Sequence, residues 1–272
     1  MKALVLSGGG ARGAAHIGAI KALEEWGYVP DMIVGVSIGA VVGAGYALLK
    51  DARKLEEYSR LVYEKSRKMK LSMDRILSGA LSKLIVKFGC WYMNTVKSAF
   101  PSKVYFKMFR KVFKDRRFED TLIEFHAVAT DLKTGEVVVL SHGNLMKALE
   151  ASMAIPGIFP PVEIDGHLLI DGGTANNLPV DIARGLGADH VIAVDLSRRI
   201  KRPVSKTANS YMTFIDSFRD EIFHEDLREG ADILIKPPVD DVDSLDFTKS
   251  LKLLERTYRY TKELLNDLEH TE

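Results

Sequence analysis

The sequence predicts an α/β fold in which a mainly parallel central sheet carries helices on its faces. Short apolar strands alternate along the chain with glycine-rich loops and helical patterns, which is typical of this class. Hydrophobic residues make up 46% and charged residues 28% of the 272 residues, which indicates a globular chain with a sizeable core. No stretch rich in Pro, Gly or Ser marks a linker, so residues 1–272 are predicted to form one domain.

The first strand, loop and helix lie at the start of the chain. Lys2–Leu6 is a short apolar run, Gly8–Gly13 is a glycine loop, and Ala14–Trp26 has the spacing of a helix. The residues on or near one face of this helix are Ile17, Ile20, Ala22 and Leu23. A strand that leads through a loop into a helix is the repeating unit of a parallel sheet.

The second unit runs from Met32 to Leu49. It contains 18 residues without a charge, which is the lower edge of transmembrane length. Four glycines interrupt it, and an apolar strand, Met32–Val36, precedes a turn at Ser37. A buried strand, a sharp turn and a buried helix are therefore favoured over a membrane span.

The second half of the chain adds further strands and helices. Strands are predicted at Phe125–Thr130, Val137–Leu140, Val162–Ile164, His167–Ile170, His190–Asp195 and Asp232–Lys236. Helices are predicted at Asn144–Met153, near Pro179–Leu186 and before Gly230. A final amphipathic helix places on one packing stripe Leu251, Leu254, Tyr258, Leu265 and Leu268. Asp165-Gly166 is a strong signal for a two-residue hairpin turn.

Ser37 carries the first chemical signal. It lies in Gly35-Val-Ser-Ile-Gly39, between a predicted strand and a predicted helix. A serine nucleophile at such a place needs a tight turn, and glycines on both sides remove Cβ atoms that would clash there. The turn would present Ser37 at the N-terminus of the helix, whose dipole favours developing negative charge. The alternative is that Ser37 only caps the helix.

The glycine loop after the first strand is a candidate for binding negative charge. Its members are Gly8, Gly9, Gly10, Ala11, Arg12 and Gly13. Because the loop opens a helix, several backbone N–H groups can converge on an anion, and in an acyl-transfer enzyme they would form the oxyanion hole. For Arg12, a structural contact is favoured over a contact to substrate phosphate.

The same loop also fits the dinucleotide-binding pattern Gly-x-Gly-x-x-Gly. That pattern expects an acidic residue at the end of the second strand. Asp31 instead precedes the second strand, and the strand ends in the serine turn. A dinucleotide site is therefore disfavoured.

Asp171 is predicted to be the base that activates Ser37. It ends a hairpin strand, and the following Gly172 and Gly173 allow a close backbone approach and leave the carboxylate unobstructed. The alternative for Asp171 is a turn cap. Asp131 and Asp195 also end strands but lack the glycine pair. The seven histidines are interpreted as structural or solvated.

Together these motifs resemble the patatin-like phospholipases, of the single-domain bacterial or archaeal type. The resemblance rests on residues 8–13, 35–39 and 171–173, and on Ala151-Ser-Met-Ala-Ile-Pro-Gly-Ile-Phe-Pro, which is similar to the segment before the family's catalytic aspartate. It implies a three-layer α/β/α fold, a Ser37–Asp171 dyad without histidine, metal or cofactor, and hydrolysis of acyl esters of phospholipids or related lipids. Residues 50–117 lie outside the resemblance and are predicted to form a helical, basic insert.

The charge of this insert bears on the partner that the chain would bind. Residues 50–117 contain 19 Lys and Arg against 6 Asp and Glu, a net charge of +13, whereas the rest of the chain carries −12. Gly79–Ser98 can be drawn as a basic amphipathic helix with Trp91 and Tyr92 near its middle, which would suit an anionic membrane surface. The alternative is a helix that packs its apolar side on the sheet. No nucleic-acid-binding motif accompanies the charge, so nucleic acid is not an expected partner.

Cysteine usage and the N-terminus bear on location. Cys90 is the single cysteine, so neither a disulfide framework nor a Cys-rich metal site is predicted. The apolar run Ala3–Leu6 is too short for a signal peptide. A cytoplasmic location is predicted, with peripheral contact at the inner membrane surface through the insert. The sequence does not indicate an oligomeric state.

The leading hypothesis is a serine lipid acyl hydrolase of phospholipase A or lysophospholipase type, acting through an acyl-enzyme. A thioesterase or acyltransferase would use the same dyad. A non-catalytic regulatory protein that keeps the fold is disfavoured by the intact Ser37, Asp171 and glycine loop. A dinucleotide-binding oxidoreductase is disfavoured by the position of Asp31.

Overall fold

The computed structural model describes residues 1–61, 63–64, 102–198, 225–242 and 247–270. The strands are β1 (Lys2–Leu6), β2 (Met32–Val36), β3 (Glu124–Asp131), β4 (Val137–Leu140), β5 (Val162–Ile164), β6 (His167–Asp171), β7 (His190–Val194) and β8 (Ile233–Ile235). The helices are α1 (Ala14–Glu25), α2 (Ile38–Leu49), α3 (52–61), α4 (Ser102–Phe113), α5 (Leu145–Ser152), α6 (Val180–Gly185), α7 (Glu225–Glu229) and α8 (Ser250–Glu269). Short 3₁₀ turns lie at Gly10–Gly13, Phe118–Asp120, Gly172–Thr174 and Phe247–Lys249.

In the described residues, eight strands form one mixed sheet in the order β5-β6-β3-β2-β1-β7-β8, with β4 also paired to β3. Five neighbouring strands of this sheet are parallel to one another, namely β3, β2, β1, β7 and β8. The β5-β6 hairpin and β4 add the antiparallel pairs. The hairpin turns at Asp165 and Gly166, both with positive φ (50° and 83°), which is the geometry that Asp-Gly favours.

The sheet is covered on both faces, so the fold has three layers. Successive residues of a strand point to opposite faces, and β1 follows this rule: Leu4 and Leu6 belong to one buried cluster, Ala3 and Val5 to another. The first cluster includes side chains of α1, α2, α4, α5 and α8, and the second includes those of α6. The predicted three-layer α/β/α class is confirmed.

The predicted elements match closely outside the insert. Residues 32–49 form a strand, a turn and a helix, as the sequence favoured. In the part of the chain that the structure describes, no helix combines the length and hydropathy needed to cross a membrane.

The predicted packing stripe of α8 was partly wrong. Leu254 and Leu265 are buried as predicted, but Leu268 is exposed. The buried face includes instead Thr257 and Thr261. The reason is a close approach of α1, because a Cβ at Gly18 would lie 2.3 Å from the Leu254 carbonyl oxygen, and short side chains fit such an interface.

The predicted basic insert is only partly described. Helices α3 and α4 lie in the described part of residues 50–117, and the helical insert as a whole stays a prediction. The proposed amphipathic helix Gly79–Ser98, with its lysines and Trp91, lies outside the described residues. The long helix predicted before Gly230 is described only at Glu225–Glu229.

Candidate active site

The register of β3 brings Ser37 and Asp171 together. Strand β2 is parallel to β3 and places Val36 opposite Val128. Ser37 is the residue directly after Val36, so it lies just past this pair. Strand β6 is antiparallel to β3 and places Asp171 opposite Ala129, the next residue. Two chain segments more than 130 residues apart therefore end at neighbouring positions of one strand.

Ser37 lies on a strained turn between β2 and α2. Its φ of 53° and ψ of −121° are uncommon for a residue with a side chain, and such a conformation typically costs about 1–3 kcal/mol. The neighbouring glycines allow the turn to pack. A Cβ at Gly35 would lie 2.7 Å from the Ala40 backbone, and one at Gly39 would lie 2.3 Å from the Leu6 carbonyl oxygen.

We expect Gly39→Ala to destabilise the protein by about 3 kcal/mol, because the new methyl group would collide with the backbone of β1 rather than with a movable side chain. Urea unfolding would measure the loss. Gly185→Ala is the matched control, since nothing lies within 4 Å of its Cβ position. Equal unfolding midpoints for both variants would contradict the close packing at Gly39.

The Ser37 hydroxyl is hydrogen-bonded to the Asp171 carboxylate. Ser37 Oγ donates to Asp171 Oδ2 at 2.7 Å, and both residues are buried. The other oxygen, Asp171 Oδ1, accepts the N–H of Gly173 at 2.8 Å. The Asp171 backbone N–H donates to the Ala154 carbonyl at 3.0 Å. The hydrogen bonds to Gly173 and Ala154 thus hold the side chain and the backbone of Asp171 in place beside Ser37.

Ser152 is a site residue that sequence reasoning did not assign. Its hydroxyl donates to the Val128 carbonyl at 2.6 Å and accepts the backbone N–H of Ser37 at 2.9 Å. It therefore ties the strained turn to the central strand β3. The available signal was its place in the segment 151–160, which resembles the one before the family's aspartate.

The glycine loop lies beside Ser37, since the Cβ position of Gly8 is 3.5 Å from Ser37 Cβ. Its amides are not equivalent. The Gly8 N–H donates to Asn177 Oδ1 at 3.1 Å, and the Arg12 N–H donates to the Gly9 carbonyl at 3.2 Å. Within the described residues, no acceptor takes the N–H groups of Gly9, Gly10 or Ala11. The folded chain thus uses two of the six loop amides proposed from sequence, those of Gly8 and Arg12.

Arg12 and Asn177 hold the glycine loop in place. Arg12 Nε donates to the Gly9 carbonyl at 3.0 Å, and Arg12 Nη1 donates to the Leu196 carbonyl at 2.6 Å. Asn177 follows the Asp-Gly-Gly loop and bonds to Gly8, so it joins the two loops of the site. The Arg12 contacts agree with the structural role favoured from sequence. Asn177 had no local signal beyond being a polar residue in this loop.

The alternative carboxylates have other partners. Asp131 accepts a hydrogen bond from His167 Nδ1 at 2.6 Å, and this bond lowers the pKa of Asp131. Asp195 is fully buried and binds Arg228 and Ser197. Burial raises the pKa of Asp195, but the charge of Arg228 and the Ser197 hydrogen bonds outweigh it and hold the pKa below its ordinary value.

His16 supports the loop as a neutral side chain. Burial lowers the pKa of His16 to about 4, so the ring is uncharged at neutral pH. Its Nε2 donates to the Ser7 carbonyl at 2.7 Å, just before the glycine loop. Asp31 lies at the opposite end of β2 from Ser37 and accepts the Lys2 N–H, so it does not face the loop. Among the described residues, no group of three or more His, Cys, Asp or Glu is placed to hold a metal ion.

A three-layer α/β fold with a serine on a strained strand-to-helix turn is the arrangement used by serine hydrolases. Residues 4–184 match the sequence model of the family described as Patatin-like phospholipase. The chain therefore belongs to the patatin-like phospholipase family.

Individual relatives agree with this assignment. Human patatin-like phospholipase domain-containing protein 6 is 32% identical over 288 residues, which cover 96% of this chain and 20% of that protein. Neuropathy target esterase sws of Drosophila melanogaster is 37% identical over 195 residues, which cover 71% of this chain and 13% of that protein. Lysophospholipase nte1 of Aspergillus terreus is 30% identical over 301 residues, which cover 98% of this chain and 18% of that protein. The chain thus spans about a fifth, or less, of the length of these relatives.

A solved structure shares the fold. VipD from Legionella pneumophila superposes with a TM-score of 0.57 at 17% sequence identity, and the match covers 98% of this chain and 67% of that chain. At this identity the likeness concerns the fold alone.

Proposed function

We propose that the chain is a serine lipid acyl hydrolase in which Ser37 is the nucleophile and Asp171 is its base. The observation that carries the proposal is the 2.7 Å hydrogen bond from Ser37 Oγ to Asp171 Oδ2 at the strained turn. Membership of the patatin-like phospholipase family supports the reaction class.

In the first half of the reaction, Ser37 Oγ attacks the acyl carbonyl carbon while its proton passes to Asp171 Oδ2. The carbonyl oxygen becomes an oxyanion in the tetrahedral intermediate. When the intermediate collapses, the alcohol part of the ester leaves and takes the proton from Asp171. The products of this step are the free alcohol and an acyl ester on Ser37.

The N–H groups of Gly9, Gly10 and Ala11 are the proposed oxyanion donors. They belong to the loop beside Ser37, and within the described residues no protein acceptor takes them. Such donors stabilise charge that develops only in the transition state, and one is typically worth about 3–4 kcal/mol. The N-terminus of α2 adds a favourable dipole at Ser37.

In the second half, Asp171 accepts a proton from a water molecule as the water attacks the acyl-enzyme. The intermediate then collapses, the fatty acid leaves, and the proton returns to Ser37 Oγ. Neither half requires a histidine, and Ser37 donates to Asp171 rather than to an imidazole.

The proposed substrates are acyl esters of phospholipids or lysophospholipids. The printed names of relatives include an esterase and a lysophospholipase. The test is fatty-acid release from a panel of phosphatidylcholine, lysophosphatidylcholine, triacylglycerol and acyl-coenzyme A, which also covers thioesters. We expect release from the phospholipid or lysophospholipid by the intact chain. If no fatty acid were released from any member of the panel, the proposal would be overturned.

We infer further that residues 1–272 act as one hydrolase domain whose 50–117 region contacts an anionic membrane surface from the cytoplasmic side. The first hydrophobic cluster includes residues from Leu4 to Leu265, which supports a single domain. Within the described part of this region, Lys107, Lys111 and Lys114 are exposed and spaced as on one helical face of α4 and its end, whereas Phe106, Phe109 and Phe113 are buried. A basic face of this kind attracts anionic lipid.

Replacing Lys107 and Lys114 with glutamine is expected to lower partitioning onto vesicles that contain phosphatidylserine about 30-fold, since each basic residue near such a surface contributes about 1 kcal/mol. Co-sedimentation at low and high salt would measure it. Lys2→Gln with Lys133→Gln is the matched control, because both lysines are exposed and lie outside the region. Equal partitioning of the two double variants would argue against contact through α4.

A further inference from the structure

An apolar cavity begins at the candidate active site and follows α2. Its volume is about 200 Å³. One end is formed by Gly10, Ala11 and Gly13 of the glycine loop and by Ile38, the residue after Ser37. The wall opposite α2 is formed by side chains of α3 and α4, among them Leu55, Phe109 and Phe113. The lining is predominantly hydrocarbon, and a cavity of this kind and size favours an apolar group over water.

The cavity follows one continuous face of α2. The residues of α2 that line it are Ile38, Val41, Val42, Gly45 and Leu49. Their spacing of three, four, seven and eleven residues from Ile38 places them on a single helical stripe. At 1.5 Å per residue, this stripe extends about 16 Å from the serine turn. The lining residues of α2 therefore run from the residue after Ser37 to the end of the helix, a distance comparable to the length of an extended acyl chain.

Gly45 differs from the other glycines of α2. Gly39 and Gly43 face the sheet, where a Cβ would lie 2.3 Å from the Leu6 carbonyl oxygen and 2.9 Å from Ile33 Cγ2. Close packing against strands explains both. Gly45 lies on the cavity face, and its Cβ position would meet the end of a flexible side chain, Leu55 Cδ2, at 2.8 Å. Glycine is unfavourable inside a helix. Close packing on the sheet accounts for Gly39 and Gly43 but not for the presence of a glycine at position 45.

We propose that this cavity holds the acyl chain of the ester bound at Ser37, and that Gly45 sets the length of chain that the cavity accepts. The proposal rests on the proposed function and specifies its substrate. A side chain at position 45 enters the cavity seven residues along the stripe from Ile38. It displaces the distal methylenes of a long acyl chain and leaves a short chain untouched.

The test compares kcat/KM for esters of butyrate, octanoate and dodecanoate. Each methylene that loses its place in the cavity lowers kcat/KM about fourfold, which corresponds to about 0.8 kcal/mol. Gly45→Val, by displacing two methylenes, is expected to lower the ratio of dodecanoate to butyrate activity about 15-fold. Gly45→Ala is expected to lower it less. Leu55→Ala enlarges the cavity on the facing wall and is expected to raise the ratio.

Gly185→Ala serves as the matched control, because it adds the same methyl group to a helix in open space and should leave the ratio unchanged. The thermal midpoint of each variant shows that it is folded. If Gly45→Val and Gly45→Ala both fold and keep the wild-type ratio, the assignment of Gly45 is overturned while the hydrolase proposal stands. If no ester is cleaved by any of the folded proteins, the proposed function itself has failed.

A binding measurement separates the cavity from the chemistry. Laurate titrated into Ser37→Ala and into Ser37→Ala/Gly45→Val, followed by calorimetry, requires no turnover. We expect the dissociation constant to rise about 15-fold in the double variant. Equal affinities, or the absence of laurate binding to Ser37→Ala, would show that the acyl chain does not occupy this cavity.

Discussion

Ser37→Ala is expected to lower kcat for ester hydrolysis by roughly 10⁶-fold, which is the cost of removing the nucleophile from a serine hydrolase. The covalent route disappears with the hydroxyl. The fold should persist, because the Ser37 backbone N–H keeps its hydrogen bond to Ser152 Oγ. Fatty-acid release under substrate saturation measures the loss, and circular dichroism checks the fold.

Ser141→Ala is the matched control for this change, since Ser141 is exposed in a loop between β4 and α5. Its turnover should equal that of the wild type. If Ser37→Ala retained more than about one part in a thousand of the wild-type kcat, the nucleophile would have to be another residue.

Asp171→Asn is expected to lower kcat by roughly 10⁶-fold, similar to the loss when the base of a serine hydrolase is removed. An amide has nearly the same shape and can still accept the Gly173 N–H, but it does not take up the serine proton. Because the change preserves volume, we expect it to alter stability much less than activity. Steady-state kinetics and urea unfolding on the same preparation measure both quantities.

Asp131→Asn is the control that separates the two strand-end carboxylates. Asp131 is buried like Asp171 but is paired with His167. We expect it to retain turnover within a few fold. Equal losses for the two variants would mean that the effect follows from damage to the β3–β6 region rather than from loss of a base.

The order of elements and the place of Ser37 could be predicted because their signals are local. Apolar runs bounded by glycines identify β1 and β2, and Gly35 and Gly39 mark the turn between β2 and α2. Asp165-Gly166 likewise specifies its own turn through residues that tolerate positive φ. Each of these features depends on a few neighbouring residues, so the sequence is sufficient to locate them.

The supporting contacts of the site could not be predicted because they join distant segments. Ser152 meets Ser37 across 115 residues, and Asn177 meets Gly8 across 169 residues. A single side-chain hydrogen bond of this kind leaves no periodic pattern. For the same reason the glycine loop looked like six equivalent donors, whereas the folded chain already uses the N–H groups of Gly8 and Arg12.

Packing faces were predictable only where apolar residues form them. The buried residues of α8 include Thr257 and Thr261, and Gly18 of α1 lets the two helices approach closely. Threonine carries little hydrophobic signal, so the predicted stripe included Leu268 instead. The cavity beside Gly45 could not be predicted either. It is formed by the spacing between α2, α3 and α4, and no single helix sequence specifies that spacing.

The most direct test of Ser37 as the nucleophile is labelling with an alkyl fluorophosphonate, followed by peptide mapping by mass spectrometry. The reagent phosphonylates an activated serine and needs no knowledge of the natural lipid. We expect one adduct per chain, on the peptide that contains Ser37, none on Ser37→Ala and very slow labelling of Asp171→Asn. An adduct on a different residue, or equal labelling of the wild type and Ser37→Ala, would contradict the assignment.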